Sequence, residues 1–482
     1  MQNFELLLLV VLIAVFITNY VSRRFDEIYF VILIVLALLT NLVFDGYRWQ
    51  MVPTYLLSFS TLFFILYKTS RKSSLIAIIL KTFGWVVLIT LSFILPLALP
   101  VFELPEPTGP YNVGTRDIYL QIDGDEKITI DKTDKRELMI KVWYPSTSIG
   151  SNRDIYIDKA GRNGFAKKYG IPTSILNYLN SVKPKVFREI KIADESFPIL
   201  IFSHGYHSKA NGYYALLTEI ASRGYVILGI NHTYESTGTT FLDGSEKYFD
   251  NEFAKKIEEG SWETISPVIE ALNSELSFED RHSIIKKALK TYYAKEMVER
   301  WAQDIIEVVA HLDRWNNSDF FNGSLDISKV GVFGHSRGGA ASGESLLIDD
   351  RIKAAANIDG DHWGQIVDTI FQKPFLYLSS EWTINNGNLN QYAYINRSTS
   401  YFYNGILLKS GHSNFMDIPY MIPIQSLNQA GSIDHDTAIE ITTNLLCAFF
   451  DKHLKNEEVK MSDLPLKYKL LELNIFKGNE AK

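Results

Sequence analysis

The chain has 482 residues, enough for more than one compact unit, with 46% hydrophobic and 21% charged residues and a formal net charge of −7. That balance gives no electrostatic footprint for nucleic acid. One cysteine, Cys447, excludes an internal disulfide and leaves no mark of the redox compartment.

The first hundred residues are largely apolar, and four stretches stand out: Phe4–Tyr20, Ile28–Phe44, Pro53–Tyr67 and Thr82–Phe102. A helix needs about 20 mostly apolar residues to cross a bilayer core. The first, second and fourth meet that need best; the third, "PTYLLSFSTLFFILY", is short and carries hydroxyls. No basic residue precedes the first run and no small-residue cleavage site follows it, which speaks against a secretory signal. Arg23 and Arg24 follow the first stretch, and Lys68, Arg71, Lys72 and Lys81 follow the third, whereas the second loop has only Arg48. Basic loops stay in the cytoplasm, so a multi-pass protein of the cell membrane is expected, its N-terminus and all residues after 102 being extracytoplasmic. Almost no ionisable residue falls inside the apolar runs, so the expected role of region 1–102 is an anchor in the lipid bilayer, not an ion path.

"ELPEPTGPYNVG" (Glu103–Gly114) reads as a linker into a domain spanning 115–482. "RDIYLQI", "LMIKVWYP", "FPILIFSHG", "GYVILGINH", "KVGVFGHS", "IKAAANIDG", "KPFLYLSSE" and "NGILLKSGHSNF" read as strands. Helical patterns lie at about Gly212–Arg223, Met297–Trp315, Gly338–Leu347 and His435–Leu454. This alternation predicts an α/β domain with a mainly parallel central sheet, preceded by an α-helical transmembrane region. Between Gly244 and Ala294 a long charged helical segment exceeds what a strand connection needs, and reads as an inserted cap or a surface excursion.

Gly334-His335-Ser336-Arg337-Gly338 sits between an apolar strand and a helix rich in small residues. A Gly-x-Ser-x-Gly in that context is a nucleophile elbow, with glycines where the sharp turn leaves no room for side chains. Ser336 is the candidate nucleophile. The base follows it in this order of elements, among His362, His412, His435 and His453. His412 is the best placed, in a loop after a strand; His453 reads as a surface residue of the last helix. Two carboxylates, Asp359 and Glu381, end successive strands, and position alone does not choose between them. The oxyanion donors are expected at the Arg337 amide and, in the "FSHGY" loop, the Tyr206 amide. His204 reads as a turn residue. No metal-ligand spacing is present, and no cofactor is expected.

These motifs together resemble the plasma-type platelet-activating factor acetylhydrolases, over roughly Thr108–Lys455. "TGPYNVGTRDIYL", "VWYPS", "FPILIFSHGY", "DISKVGVFGHSRGG", "KPFLYLSSEW" and "GHSNFMD" carry the likeness. The resemblance implies an α/β-hydrolase fold, a calcium-independent phospholipase A-type serine esterase without cofactor, and short or oxidised acyl chains on phospholipids as substrate. It also implies Asp359 rather than Glu381 as the acid. Arg337 after the nucleophile, Asp361 in the acid loop, the insertion and the apolar stretches depart from the family pattern. Two other readings remain at this level: a general carboxylesterase or acyltransferase on non-phospholipid esters, and a non-catalytic binding protein of the same fold. Nothing in the sequence sets the oligomeric state.

Overall fold

The computed structural model describes residues 1–21, 27–67, 74–289, 291–361, 371–381 and 400–478. Arg23, Arg24, Lys68, Arg71, Lys72 and His362 lie outside them. The chain divides into two compact units, Met1–Phe102 with Tyr420–Leu427, and Glu103–Pro419 with Asn428–Lys482.

The first unit holds α1 (Asn3–Val21), α2 (Glu27–Thr40), α3 (Val52–Leu66) and α4 (Leu75–Ala98). Leu8, Leu12 and Val15 of α1 pack with Ile34 and Leu38 of α2 and Leu57 and Ile65 of α3. The outward faces are apolar too: Phe16, Val43, Phe59, Ile76, Leu80 and Phe83 are all exposed. A surface of that kind suits lipid, not water. Among the described residues, three helical segments are long and apolar enough to cross a membrane: Glu27–Asp45, Trp49–Leu66 and Leu75–Ala98. The third stretch, the weakest by sequence, reaches this length because a turn at Trp49–Met51 extends it. The first stretch folds as α1, a 19-residue helix that is apolar along its length. Ionisable groups are not wholly absent from the runs. Glu5, inside the first stretch, pairs with Arg48 at 2.7 Å, and both are buried. The Arg48 guanidinium also donates to Glu5 Oε2 at 3.0 Å. This clasp ties the start of α1 to the α2–α3 connection.

The second unit is built on β1 (Asn112–Asp125), β2 (Lys135–Ser146), β3 (Phe187–Arg188), β4 (Phe197–Ser203), β5 (Val226–Asn231), β6 (Gly238–Thr240), β7 (Glu246–Tyr248), β8 (Leu325–His335), β9 (Ile352–Ile358), β10 (Phe375–Ser380), β11 (Phe402–Leu407) and β12 (Leu471–Phe476). Ten of these form one sheet in the order β12-β11-β10-β9-β8-β4-β5-β2-β1-β3. The run from β11 to β5 is parallel, while β12 and β2 pair antiparallel at its two ends. The remaining two, β6 and β7, make a small hairpin. β1 begins at Asn112, inside the stretch expected to be linker.

Its helices are α5 (Lys159–Lys168), α6 (Tyr214–Ser222), α7 (Asn251–Glu258), α8 (Ser261–Leu272), α9 (Phe278–Leu289), α10 (Tyr293–Asn316), α11 (Arg337–Ile348) and α12 (His435–Leu454). The central strands are apolar on both faces because helices cover both. Ile199, Ile201, Val330 and Val332 pack with Trp301, Ile305 and Val308 of α10 and Ala340 and Ala341 of α11. Their alternating neighbours face the other layer: Phe333 meets Phe450 of α12, and a Cβ at Gly331 would lie 2.8 Å from the Phe450 ring. Segment 244–294 folds as β7 and α7–α9 before α10 begins, with Val268 and Ile285 buried in the same core. Cys447 is buried in α12, and burial pushes its thiol up to about 12.

Candidate active site

The parallel run of the sheet ends in loops on one side, and the residues singled out by sequence gather there. Ser336 follows β8 directly and caps α11, at φ 56° and ψ −125°. That conformation costs of order 1–3 kcal/mol for a non-glycine residue. The elbow can close only with glycines around it: a Cβ at Gly334 would lie 2.3 Å from the Gly338 carbonyl, and one at Gly338 2.1 Å from the Ser203 carbonyl. The turn is held from both sides. The Ser336 amide donates to Ile358 O at 2.8 Å, and the Ser336 carbonyl accepts from the amides of Gly339 and Ala340 at 3.0 and 3.2 Å.

Asp359 ends β9 at φ 51°, also in the left-handed region. Its carboxylate is buried and receives the His412 ring, Nδ1 to Oδ2, at 2.7 Å. Ser380 at the end of β10 also holds it, with the amide at 2.8 Å and the hydroxyl at 2.9 Å from Oδ1. Burial works against the charge, but the His412 hydrogen bond and charge and the Ser380 amide outweigh it and hold the Asp359 pKa below its usual value. Glu381, the rival acid, takes the Lys409 amide instead.

The other candidates sit elsewhere. His435 opens α12, and burial lowers its pKa to about 4. His453 is not the surface residue expected. Its Nε2 lies 2.9 Å from the Tyr403 hydroxyl, among Tyr401 and Phe449, because α12 packs on β11 through that face. His204 is wholly buried, its Nδ1 2.7 Å from Gly205 O.

The loop after β4 runs His204-Gly205-Tyr206 beside the elbow. A Cβ at Gly205 would come within 3.3 Å of Ser336 Cβ. The Tyr206 amide makes no hydrogen bond among the described residues. Arg337 begins α11, so its amide is one of the donors that a helix leaves without an intrahelical acceptor.

Two anchors escaped the sequence reading. Gly205 N donates to the Tyr213 hydroxyl at 3.1 Å, the hydroxyl bonds His335 Nδ1 at 2.8 Å, and His335 Nε2 meets the His412 carbonyl at 3.1 Å. The Gly205 amide donor at one end and the His412 carbonyl acceptor at the other fix the directions: Nε2 carries the proton and donates to the carbonyl, and Nδ1 accepts from the tyrosine. This chain joins the oxyanion loop, the elbow and the histidine loop. Asp417, five residues after His412, accepts the amides of Tyr214 and Ala215 at 2.7 and 3.2 Å and so pins the histidine loop to the first turn of α6. His335 was visible as the variable residue of the elbow motif, but nothing local distinguished it. His335, Asp359 and His412 also stand close enough for a shared metal ion. Both His335 nitrogens and the His412 Nδ1 are engaged in the hydrogen bonds given above.

The family model described as Platelet-activating factor acetylhydrolase, isoform II, matches residues 99–467. Relatives include a platelet-activating factor acetylhydrolase of Cavia porcellus, 26% identical over 374 residues, covering 73% of this chain and 78% of its own. Another of that name, from Gallus gallus, is 25% identical over 403 residues, covering 73% and 84%. A probable 1-alkyl-2-acetylglycerophosphocholine esterase of Arthroderma benhamiae is 24% identical over 283 residues, covering 56% and 61%. Among solved structures, a ferulic acid esterase from Streptomyces cinnamoneus superposes with a TM-score of 0.60 at 21% identity, over 78% of this chain and 99% of that one. With the family model spanning most of the chain, this is a carboxylic ester hydrolase of the α/β-hydrolase fold that belongs to the platelet-activating factor acetylhydrolase, isoform II, family.

Proposed function

We propose that the chain is a membrane-anchored serine esterase acting on short or oxidised acyl esters of phospholipids. Ser336 Oγ attacks the ester carbonyl while His412 Nε2 takes its proton. The Arg337 and Tyr206 amides receive the developing oxyanion. As the tetrahedral species collapses, the C–O bond to the leaving alcohol breaks and His412 returns the proton to that oxygen. Water, deprotonated by His412, then attacks the acyl-serine, and Ser336 is regenerated. Asp359 holds the ring in one tautomer and stabilises its charged form. No metal or cofactor enters these steps.

The observation that carries this reading is the 2.7 Å contact from His412 Nδ1 to a buried, ionised Asp359, beside a serine at positive φ on a strand–helix elbow. The substrate class follows the names of the relatives. An open cleft of about 820 Å³, lined by Tyr206, His207, Phe249 and Glu258, offers room beside the oxyanion loop. Segment 244–294 borders the same place: Phe249 packs on Tyr206 at 5.1 Å, and the Arg337 guanidinium lies 5.9 Å from the Tyr293 ring just before α10 continues. We assign it a capping role that gates substrate entry. The apolar faces of α1–α4 support the anchor, and the extracytoplasmic placement rests on the basic loops. The test is an organophosphonate probe. A single adduct at Ser336, with phospholipid esters of short chains preferred over simple esters, is expected; an adduct at another residue overturns the reading.

A further inference from the structure

A second serine, histidine and aspartate are joined within the hydrolase unit. Ser203 Oγ lies 2.8 Å from His232 Nε2, and His232 Nδ1 lies 2.7 Å from Asp304 Oδ2. Ser203 and His232 are 0% exposed and Asp304 is 2% exposed, so no ester reaches them. The group cannot be a second active centre, and its meaning lies in what it holds.

Ser203 is the last residue of β4, paired with Gly334 of the elbow. The next three residues are the oxyanion loop. The same histidine grips that loop a second time, because the His232 amide donates to His204 Nε2 at 3.2 Å, while His204 Nδ1 bonds Gly205 O at 2.7 Å. Beyond Tyr206, the His207 amide donates to Glu235 O at 3.0 Å. Tyr206 is therefore suspended between two fixed points. Behind them stands a buried ionic frame. The Arg136 guanidinium spans both oxygens of Asp304 at 3.1 and 2.6 Å and reaches Glu126 at 2.9 Å. Glu235 takes the Trp301 indole at 2.7 Å and pairs with Arg300. The His232 ring stacks on Trp301 at 4.0 Å and 7°. With its Nδ1 proton directed at a carboxylate, His232 presents Nε2 as acceptor, and the Ser203 hydroxyl donates to it.

We infer that Ser203, His232 and Asp304 are positioning residues that set the Tyr206 amide against Ser336, an inference resting on the reading of that amide as an oxyanion donor. Ser203 to His232 is a side-chain link of the frame that can be cut without exposing a charge. Removing an oxyanion donor outright costs about 10²–10³ in kcat; displacing one by a fraction of an ångström costs less.

The experiment compares Ser203→Ala, Ser203→Cys and His232→Phe in the full chain; the last keeps the stack on Trp301 and the main-chain bond to His204 and loses the ring hydrogen bonds to Ser203 and Asp304. The expected result is a fall in kcat of about 10–100-fold on p-nitrophenyl acetate, with KM within about threefold. Ser203→Cys, which keeps the shape and a weak donor, falls less than Ser203→Ala. The preference for an ester over its thionoester, whose sulfur is poorly held by an oxyanion site, narrows in step with kcat, and a trifluoromethyl ketone binds more weakly in the same proportion. Wild-type kcat in folded variants overturns the inference. So does a lowered kcat with an unchanged thionoester ratio and unchanged ketone affinity, which marks a purely structural role. Absence of a Ser336 adduct in the wild-type chain, by contrast, overturns the reading of Ser336 itself and removes the ground of the inference with it.

Discussion

Two serine–histidine–aspartate groups stand in one domain, and their histidine-to-aspartate contacts have the same length, 2.7 Å. Their surroundings differ in three ways. The His412 side chain is 28% exposed, whereas that of His232 is 0% exposed. Ser336 sits at positive φ on a turn, whereas Ser203 ends a regular strand. The third difference is electrostatic. Asp304 is already matched by the Arg136 guanidinium, so little of its charge is left to favour an imidazolium, and burial lowers the His232 pKa despite the carboxylate. Asp359 takes the amide and hydroxyl of Ser380 beside the His412 ring, and these contacts hold its pKa below the usual value. The same three residue types, with the same histidine–aspartate contact, are therefore compatible with opposite roles. Access and backbone strain separate the two groups and support the reactive role proposed for Ser336, Asp359 and His412.

The comparison breaks most readily at its reactive end. Ser336→Ala and His412→Ala are expected to lower ester hydrolysis by about four to six orders of magnitude in a folded chain. Turnover that survives in either removes that residue from the mechanism. The acid comes next: Asp359→Asn should cost about 10⁴ in kcat, and Glu381→Gln, whose carboxylate serves the Lys409 amide, should stay near wild type. The reverse result would assign the acid role to Glu381.

At the fixed end the effect is on stability. Burial opposes the Asp304 charge, yet Arg136 and the His232 hydrogen bond hold its pKa well below the usual carboxylate value. A lowered folded pKa adds stability above the unfolded value and loses it as pH falls through the folded one. Asp304→Asn should therefore cost about 3–5 kcal/mol near neutrality, and its gap to wild type should begin to narrow below about pH 4 and shrink further as pH falls toward the lowered folded value. Thermal unfolding of the detergent-solubilised chain at several pH values measures this; a gap that is the same at pH 3 and pH 7 contradicts the ionic account. The smallest effect concerns the first unit. A chain beginning at Glu103 should keep its rate on short soluble esters and lose about tenfold on esters in vesicles, by loss of local concentration. An unchanged ratio of the two rates would mean that α1–α4 serve something other than access to lipid.

Much of this was legible in the chain. Continuous apolar runs bounded by glycines marked β4, β5, β8 and β10, because strands covered on both faces have no polar period to hide in. The elbow was legible because steric exclusion leaves glycine as the only choice at Gly334 and Gly338. The acid was legible only through the family resemblance, since Asp359 and Glu381 both end neighbouring strands and the backbone turn at Asp359 is what aims its carboxylate at the histidine loop. Tyr213 and His335 meet across 122 residues, and His232 and Asp304 across 72, so no local pattern announces either pair. The first unit showed the same limit: apolar length located its helices, while the pairing of Glu5 with Arg48 depends on how the helices cross.

Cys447 has a practical consequence. A thiol pushed up to about 12 and enclosed in α12 has almost no thiolate near neutrality, and thiolate is the form that reacts. The native chain should be silent toward maleimides and insensitive to mild oxidants without any cysteine being removed. Glu458→Cys, at an exposed position beyond α12, would then carry the sole reactive sulfur. Modification of intact cells by a membrane-impermeant maleimide would report an extracytoplasmic hydrolase unit, and modification only after lysis would reverse that orientation. One buried sulfur thus turns the whole protein into its own blank for mapping sidedness.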